Sequence, residues 1–218
     1  MTWIKICGIR EEVYALAAVE AGADFIGFVF APTRRQVSPV KAREIVDTVK
    51  KSISTIKPVG VFVDTPASEV NRIANFCGLD WVQLSGNESW EYCRQIARPI
   101  IKAIRIGQQL REEINTKLTV GLKTFSPQRF ITLLDSQVEG KYGGTGITFN
   151  WGLAQHVAKE FPVIIAGGLD PENVAQAIEI VTPWGVDVSS GVETDGTKDV
   201  AKIKAFIEAV RRTDDNKR

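Results

Sequence analysis

The stretch PVIIAGGLDPENVAQAIEIVTPWGVDVSSG, residues 162–191, holds one complete folding unit. It opens on a continuous apolar run, Val163 to Ala166, of the kind buried on both faces of a parallel sheet. Gly167 and Gly168 end that run. Asp170 and Pro171 then read as an N-cap and a first helical residue, and the residues after them carry helical spacing. A second strand follows in GVDV, closed by Ser189, Ser190 and Gly191. Strand, helix and strand in this order predict parallel pairing.

The same alternation runs through the rest of the chain. Further strand candidates are WIKICGI (3–9), DFIGFVF (24–30), PVGVFVD (58–64), WVQLSG (81–86), IIKAIRI (100–106) and FITLLDS (130–136). Helices between them have legible starts: Ser38 before Pro39, and Thr65 before Pro66. Pro127 must end or interrupt the fifth helix. Eight strand–helix units predict a single-domain α/β fold, the closed (β/α)8 or TIM barrel, over residues 1–212. Residues 213–218, TDDNKR, read as a frayed tail. An open doubly wound sheet is the alternative, but no Gly-x-Gly-x-x-Gly follows the first strand.

Composition narrows the function. The formal charge of +1 gives no global attraction to nucleic acid or to an anionic membrane. There is no secretory leader and no apolar run long enough to span a bilayer, so a cytoplasmic protein is expected. Cys7, Cys77 and Cys93 lack metal-ligand spacing, and a disulfide framework is not expected. With His156 the only histidine, a Ser-His-Asp triad or a histidine zinc site is disfavoured. The expected partner is a small phosphorylated molecule, bound by a monomer or homodimer.

Barrel enzymes place their chemistry at the C-terminal ends of strands. Gly167 and Gly168 after the seventh strand, with Ser190 and Gly191 after the eighth, put small residues where backbone can approach a phosphate. GKYGGTGITFNW, 140–151, reads as a flexible loop over the substrate, with Gly144 as a contact. Asp135 terminates an apolar strand, as a catalytic acid or as a cap for the next loop. Cys7 sits at the lip of the first strand, one pleat above Lys5 on the same face. It reads either as a small core hydrophobe or as a thiol that the ammonium could ionise. Cys77 and Cys93, inside helical patterns, read as core residues.

KICGI, QVSP, VGVFV, VQL, LLDS, GGTG…FNW, AGGLDPENV and GVDVSSGVE occur in the order found in the phosphoribosylanthranilate isomerases, and nearly the whole chain resembles that family. The resemblance implies a (β/α)8 enzyme of tryptophan biosynthesis that performs an Amadori rearrangement by acid–base catalysis without a cofactor. It further implies Cys7 as general base and Asp135 as general acid. Arg35, matched through the Thr33-Arg34-Arg35-Gln36 loop, would bind the anthranilate carboxylate, with Arg34 as the adjacent competitor. Asp187 would face the substrate. A cation or dipole is then expected to favour the Cys7 thiolate, and desolvation to keep Asp135 protonated. One departure is visible: the family's QLHG reads QLSG here, with Ser85 at the histidine position.

Overall fold

The computed structural model describes all residues except 54, 107–110, 127–128, 137–150 and 218. Eight parallel strands close into a barrel in sequence order: β1 (Trp3–Cys7), β2 (Phe25–Val29), β3 (Lys57–Phe62), β4 (Trp81–Leu84), β5 (Ile100–Ile106), β6 (Phe130–Ser136), β7 (Val163–Ala166) and β8 (Gly185–Val188). The seam is β1 on β8, with Trp3 opposite Gly185 and Lys5 opposite Asp187. Among the described residues no helix is long and apolar enough to cross a membrane.

Strand alternation sends side chains to two separate cores. Ile4, Ile6, Ile26, Phe28, Val82 and Leu84 face outward and pack under the helices. Phe25, Val59, Ile101, Ile131, Leu133, Ile164 and Ala166 fill the barrel interior, with Trp3, Trp81 and Trp184 packed against them. Trp3 stacks on Trp184 with ring centroids 4.9 Å apart, and the Lys57 ammonium lies 4.6 Å from the centre of the Trp3 ring. This aromatic plug stops the N-terminal end of the barrel and leaves the opposite mouth for polar groups.

The helices are α1 (Glu12–Glu20), α2 (Pro39–Ser52), α3 (Ala67–Phe76), α4 (Trp90–Cys93), α5 (Arg111–Thr124), α6 (Trp151–Glu160), α7 (Val174–Val181) and α8 (Val200–Asp215). Ser38 caps α2 by accepting from the Lys41 amide, with Pro39 in the first helical position as read from the sequence. Two starts differ. Thr65 turns its hydroxyl to the Val63 carbonyl, so α3 begins only after Pro66. Asp170 accepts from the amides of Glu172 and Asn173, which makes a turn and delays α7 to Val174.

The first half of the expected frayed tail, residues 213–215, is helix instead. α8 continues to Asp215 because Asp214, buried, accepts from the amide and hydroxyl of Thr2 at 2.7 Å each. That contact ties the last helix to the start of β1.

Candidate active site at the barrel mouth

Cys7 is the last residue of β1, and Gly8 turns the chain at once. Gly8 has φ +81°, and a Cβ there would meet Arg35 Cδ at 2.7 Å and Ser189 Oγ at 3.1 Å. Glycine is therefore needed twice over, for conformation and for space. The Gly8 and Ile9 amides both donate to the Gly27 carbonyl, which pins the lip. Cys7 itself is buried among Val29, Ala31 and Val61.

Below the thiol lies a buried ion pair. Lys5 Nζ donates to Asp187 Oδ1 at 2.8 Å, and both residues are buried. Burial disfavours the Lys5 ammonium, but attraction to Asp187 and then to Cys7 outweighs it, and its pKa is raised. The Cys7 thiol is also raised. Burial is the largest cause; Lys5 and Lys198 pull the other way without overcoming it. The expected cations are thus beside Cys7 and favour its thiolate, but burial opposes them and the net direction is upward. Both raised values favour protonated forms in the fold, so their contribution to stability is full below the unfolded thiol's pKa of about 8.5. It declines as pH rises above that value, and Cys7→Ala should reduce this alkaline loss in denaturation measured against pH.

Gly27, on β2, makes room for this pair. A Cβ at Gly27 would stand 2.9 Å from Cys7 Sγ and 3.1 Å from Lys5 Nζ. Gly27→Ala should displace the thiol and cut turnover at least tenfold; an unchanged rate would show that the space is not needed.

Asp135, on β6, lies three strands round the wall from Cys7 by way of β8 and β7, beside Arg105 on β5 and Ala166 on β7 in register. It is partly exposed at the same end of the barrel. Next to it, the loops after β7 and β8 touch backbone to backbone: a Cβ on Gly191 would overlap the Leu169 carbonyl oxygen, at 1.9 Å. Gly167 (φ +95°) and Gly168 (φ +68°) adopt left-handed conformations. Asn173 holds their loop by donating to the Gly168 carbonyl at 2.8 Å. Among the described residues no protein acceptor takes the amides of Gly168, Ser190 or Gly191. All four sequence-assigned phosphate residues thus fall in one place. Gly144 lies outside the described residues.

Arg35 has a partner the sequence reading did not name. Its Nε and Nη2 donate to Glu193 Oε1 and Oε2 at 2.6 and 2.9 Å. Arg34 Nη2 donates to the same carboxylate at 2.9 Å, as does Lys198 Nζ. Glu193 and Lys198 face each other across a small hairpin, β9 (Glu193–Thr194) and β10 (Thr197–Lys198), turned by Asp195 and Gly196 with φ of 50° and 78°. Burial opposes the Glu193 charge, but Arg35 and Lys198 outweigh it and hold the carboxyl below its ordinary range. Lys198 also donates to the Ser189 carbonyl at 2.7 Å, and Ser189 Oγ donates to the Cys7 carbonyl at 3.2 Å.

Asp64 accepts from the Asn87 amide and joins the loops after β3 and β4. Ser85 accepts at Oγ from Gln83 Nε2 at 3.1 Å, and among the described residues buried Gln83 Oε1 has no hydrogen-bond partner. Cys77 and Cys93 are buried, with burial pushing both thiols up to about 11. Among the described residues no cluster of three or more His, Cys, Asp or Glu side chains could hold a metal ion.

Comparison with known proteins agrees with the barrel fold. Residues 4–209 match the family model described as N-(5′-phosphoribosyl)anthranilate (PRA) isomerase. The chain is 47% identical over 214 residues to N-(5′-phosphoribosyl)anthranilate isomerase from Dehalococcoides mccartyi, covering 98% of this chain and 97% of the relative. The crystal structure of phosphoribosyl anthranilate isomerase from Thermotoga maritima superposes with a TM-score of 0.85 at 36% identity, over 97% of this chain and all of the other. A solved complex of such an isomerase with reduced 1-(o-carboxyphenylamino)-1-deoxyribulose 5-phosphate gives a TM-score of 0.81 at 36% identity, again over 97% of this chain and all of the other. On both sequence and structure, the chain belongs to the N-(5′-phosphoribosyl)anthranilate isomerase family.

Proposed function

We propose that this protein converts N-(5′-phosphoribosyl)anthranilate to 1-(2-carboxyphenylamino)-1-deoxyribulose 5-phosphate, with Cys7 as general base and Asp135 as general acid. The observation that carries this reading is a thiol against a buried ammonium at the end of β1. A carboxyl lies on the same rim, and paired glycine loops lie beside it. The family relative bound to a reduced carboxyphenylamino deoxyribulose phosphate supports the same substrate class.

Asp135 protonates the ribose ring oxygen while the anthranilate nitrogen lone pair expels it from C1′, giving the open-chain Schiff base. Cys7, ionised, removes the C2′ proton, and the electron pair flows to the imine nitrogen to give an enolamine. Protonation at C1′ and loss of the C2′ hydroxyl proton yield the ketone. No net electrons leave the substrate. A desolvated thiolate is the stronger base, so raising the thiol's pKa trades population for basicity.

The phosphate end fits the amides of Gly168, Ser190 and Gly191, and Arg35 fits the anthranilate carboxylate. Freshly generated phosphoribosylanthranilate, followed by loss of its fluorescence with the histidine-pathway aminoaldose in parallel, tests the reading. Decay no faster than in buffer would end it.

A further inference from the structure

From the charge cluster at the lip we infer that Glu193 is a positioning residue for Arg35, presenting one edge of its guanidinium to the substrate carboxylate. This rests on the function proposed above. Arginine has two edges able to grip a carboxylate: Nε with one Nη, and the two Nη together. Glu193 occupies the first, bonding Nε and Nη2. Among the described residues no acceptor takes the Nη1 hydrogens, so the second edge stays open for another carboxylate.

Charge balance supports the assignment. Arg34, Arg35 and Lys198 converge on the single Glu193 carboxylate, whose side chain is 5% exposed. The cluster therefore keeps a positive excess with which to attract a second anion. Without Glu193, Arg35 and Lys198 would repel one another; Arg35 already lowers the Lys198 pKa, though burial is the larger cause. Arg35 Cδ packs where a Gly8 side chain would be, and among the described residues the hydrogen bonds from its guanidinium go to Glu193 alone. The hairpin β9–β10 fixes Glu193 opposite Lys198, and thereby fixes the arginine.

The test compares phosphoribosylanthranilate with the aniline analogue, which lacks only the carboxylate, in wild type, Glu193→Gln and Arg35→Met. Glu193→Gln should lower the preference for the carboxylate substrate at least tenfold, chiefly through KM, and leave aniline-adduct turnover within about threefold. Equal loss on both substrates would reduce Glu193 to scaffolding and overturn the inference, as would an unchanged preference. Arg35→Met should abolish the preference; if it does not, Arg35 is not the carboxylate binder and the inference falls while isomerase activity stands. Should Glu193→Gln not fold, Glu193→Asp replaces it. The aspartate carboxylate is set back by one methylene and cannot reach both nitrogens, so the preference should fall again, and an unaltered preference would count against the proposal. Wild type inactive on both substrates would remove the proposed function itself.

Discussion

Cys7→Ser and Asp135→Asn should each lower kcat by roughly 10²–10⁴-fold, the usual range for a lost general acid or base, and leave KM within a few-fold. The two losses have different causes. A serine hydroxyl in the buried Cys7 position would have to ionise where burial already raises the pKa of the more acidic thiol. Asparagine at Asp135 keeps the shape of the carboxyl at the end of β6 but cannot deliver its proton to the ring oxygen. Cys7→Ser removes no charge from the buried Lys5–Asp187 pair, and the phosphate loops lie on other strands than Cys7. Thermal denaturation of Cys7→Ser should accordingly stay close to wild type. Steady-state kinetics on freshly generated substrate decide the matter: near-normal turnover in either variant would sink that residue's assignment.

How much of this was readable beforehand depends on how far apart in the chain the partners lie. The strand alternation and the lip positions of Cys7, Asp135 and the glycine pairs are local patterns, and eight of them imply closure. Lys5 and Asp187 are 182 positions apart and meet only because β8 returns to β1. Each was visible as a charge in a strand, but their pairing needed the register of the seam. Glu193 was missed for a different reason. Asp195-Gly196 is a strong two-residue hairpin signal, and reading it would have set Glu193 opposite Lys198. Helix ends erred where a side chain had a competing backbone partner, as Thr65 and Asp170 do. The tail was misjudged because its composition is polar, whereas Asp214 is held by Thr2 from the other end of the chain. The cations beside Cys7 were foreseen but the net upward direction was not, because neighbouring charges can be guessed from sequence while the depth of burial that opposes them cannot.

That balance of burial against charge makes Lys5→Met the most disruptive single change near the site. Lys5 is fully buried and Asp187 nearly so, and removing one partner of a buried pair costs about 3–5 kcal/mol because the other is left uncompensated. For a chain of this size that corresponds to a fall in Tm of roughly 6–20 °C. Adding Asp187→Asn should restore much of the loss, since no charge then remains to be desolvated. Catalysis should move in a defined direction as well. Lys5 lowers the Cys7 pKa and Asp187 raises it, so deleting the lysine alone pushes the thiol pKa higher on both counts. The rising limb of kcat/KM against pH should move to more alkaline pH, lowering activity at neutral pH about tenfold per unit of displacement. In the double variant both charges are gone, and the limb should return toward the wild-type position. A limb that stays in place in Lys5→Met, with normal Tm, would mean that the ammonium neither supports the fold nor tunes the base. The same limb absent from Cys7→Ser and present in Asp135→Asn would tie it to the thiol and to no other group at the mouth.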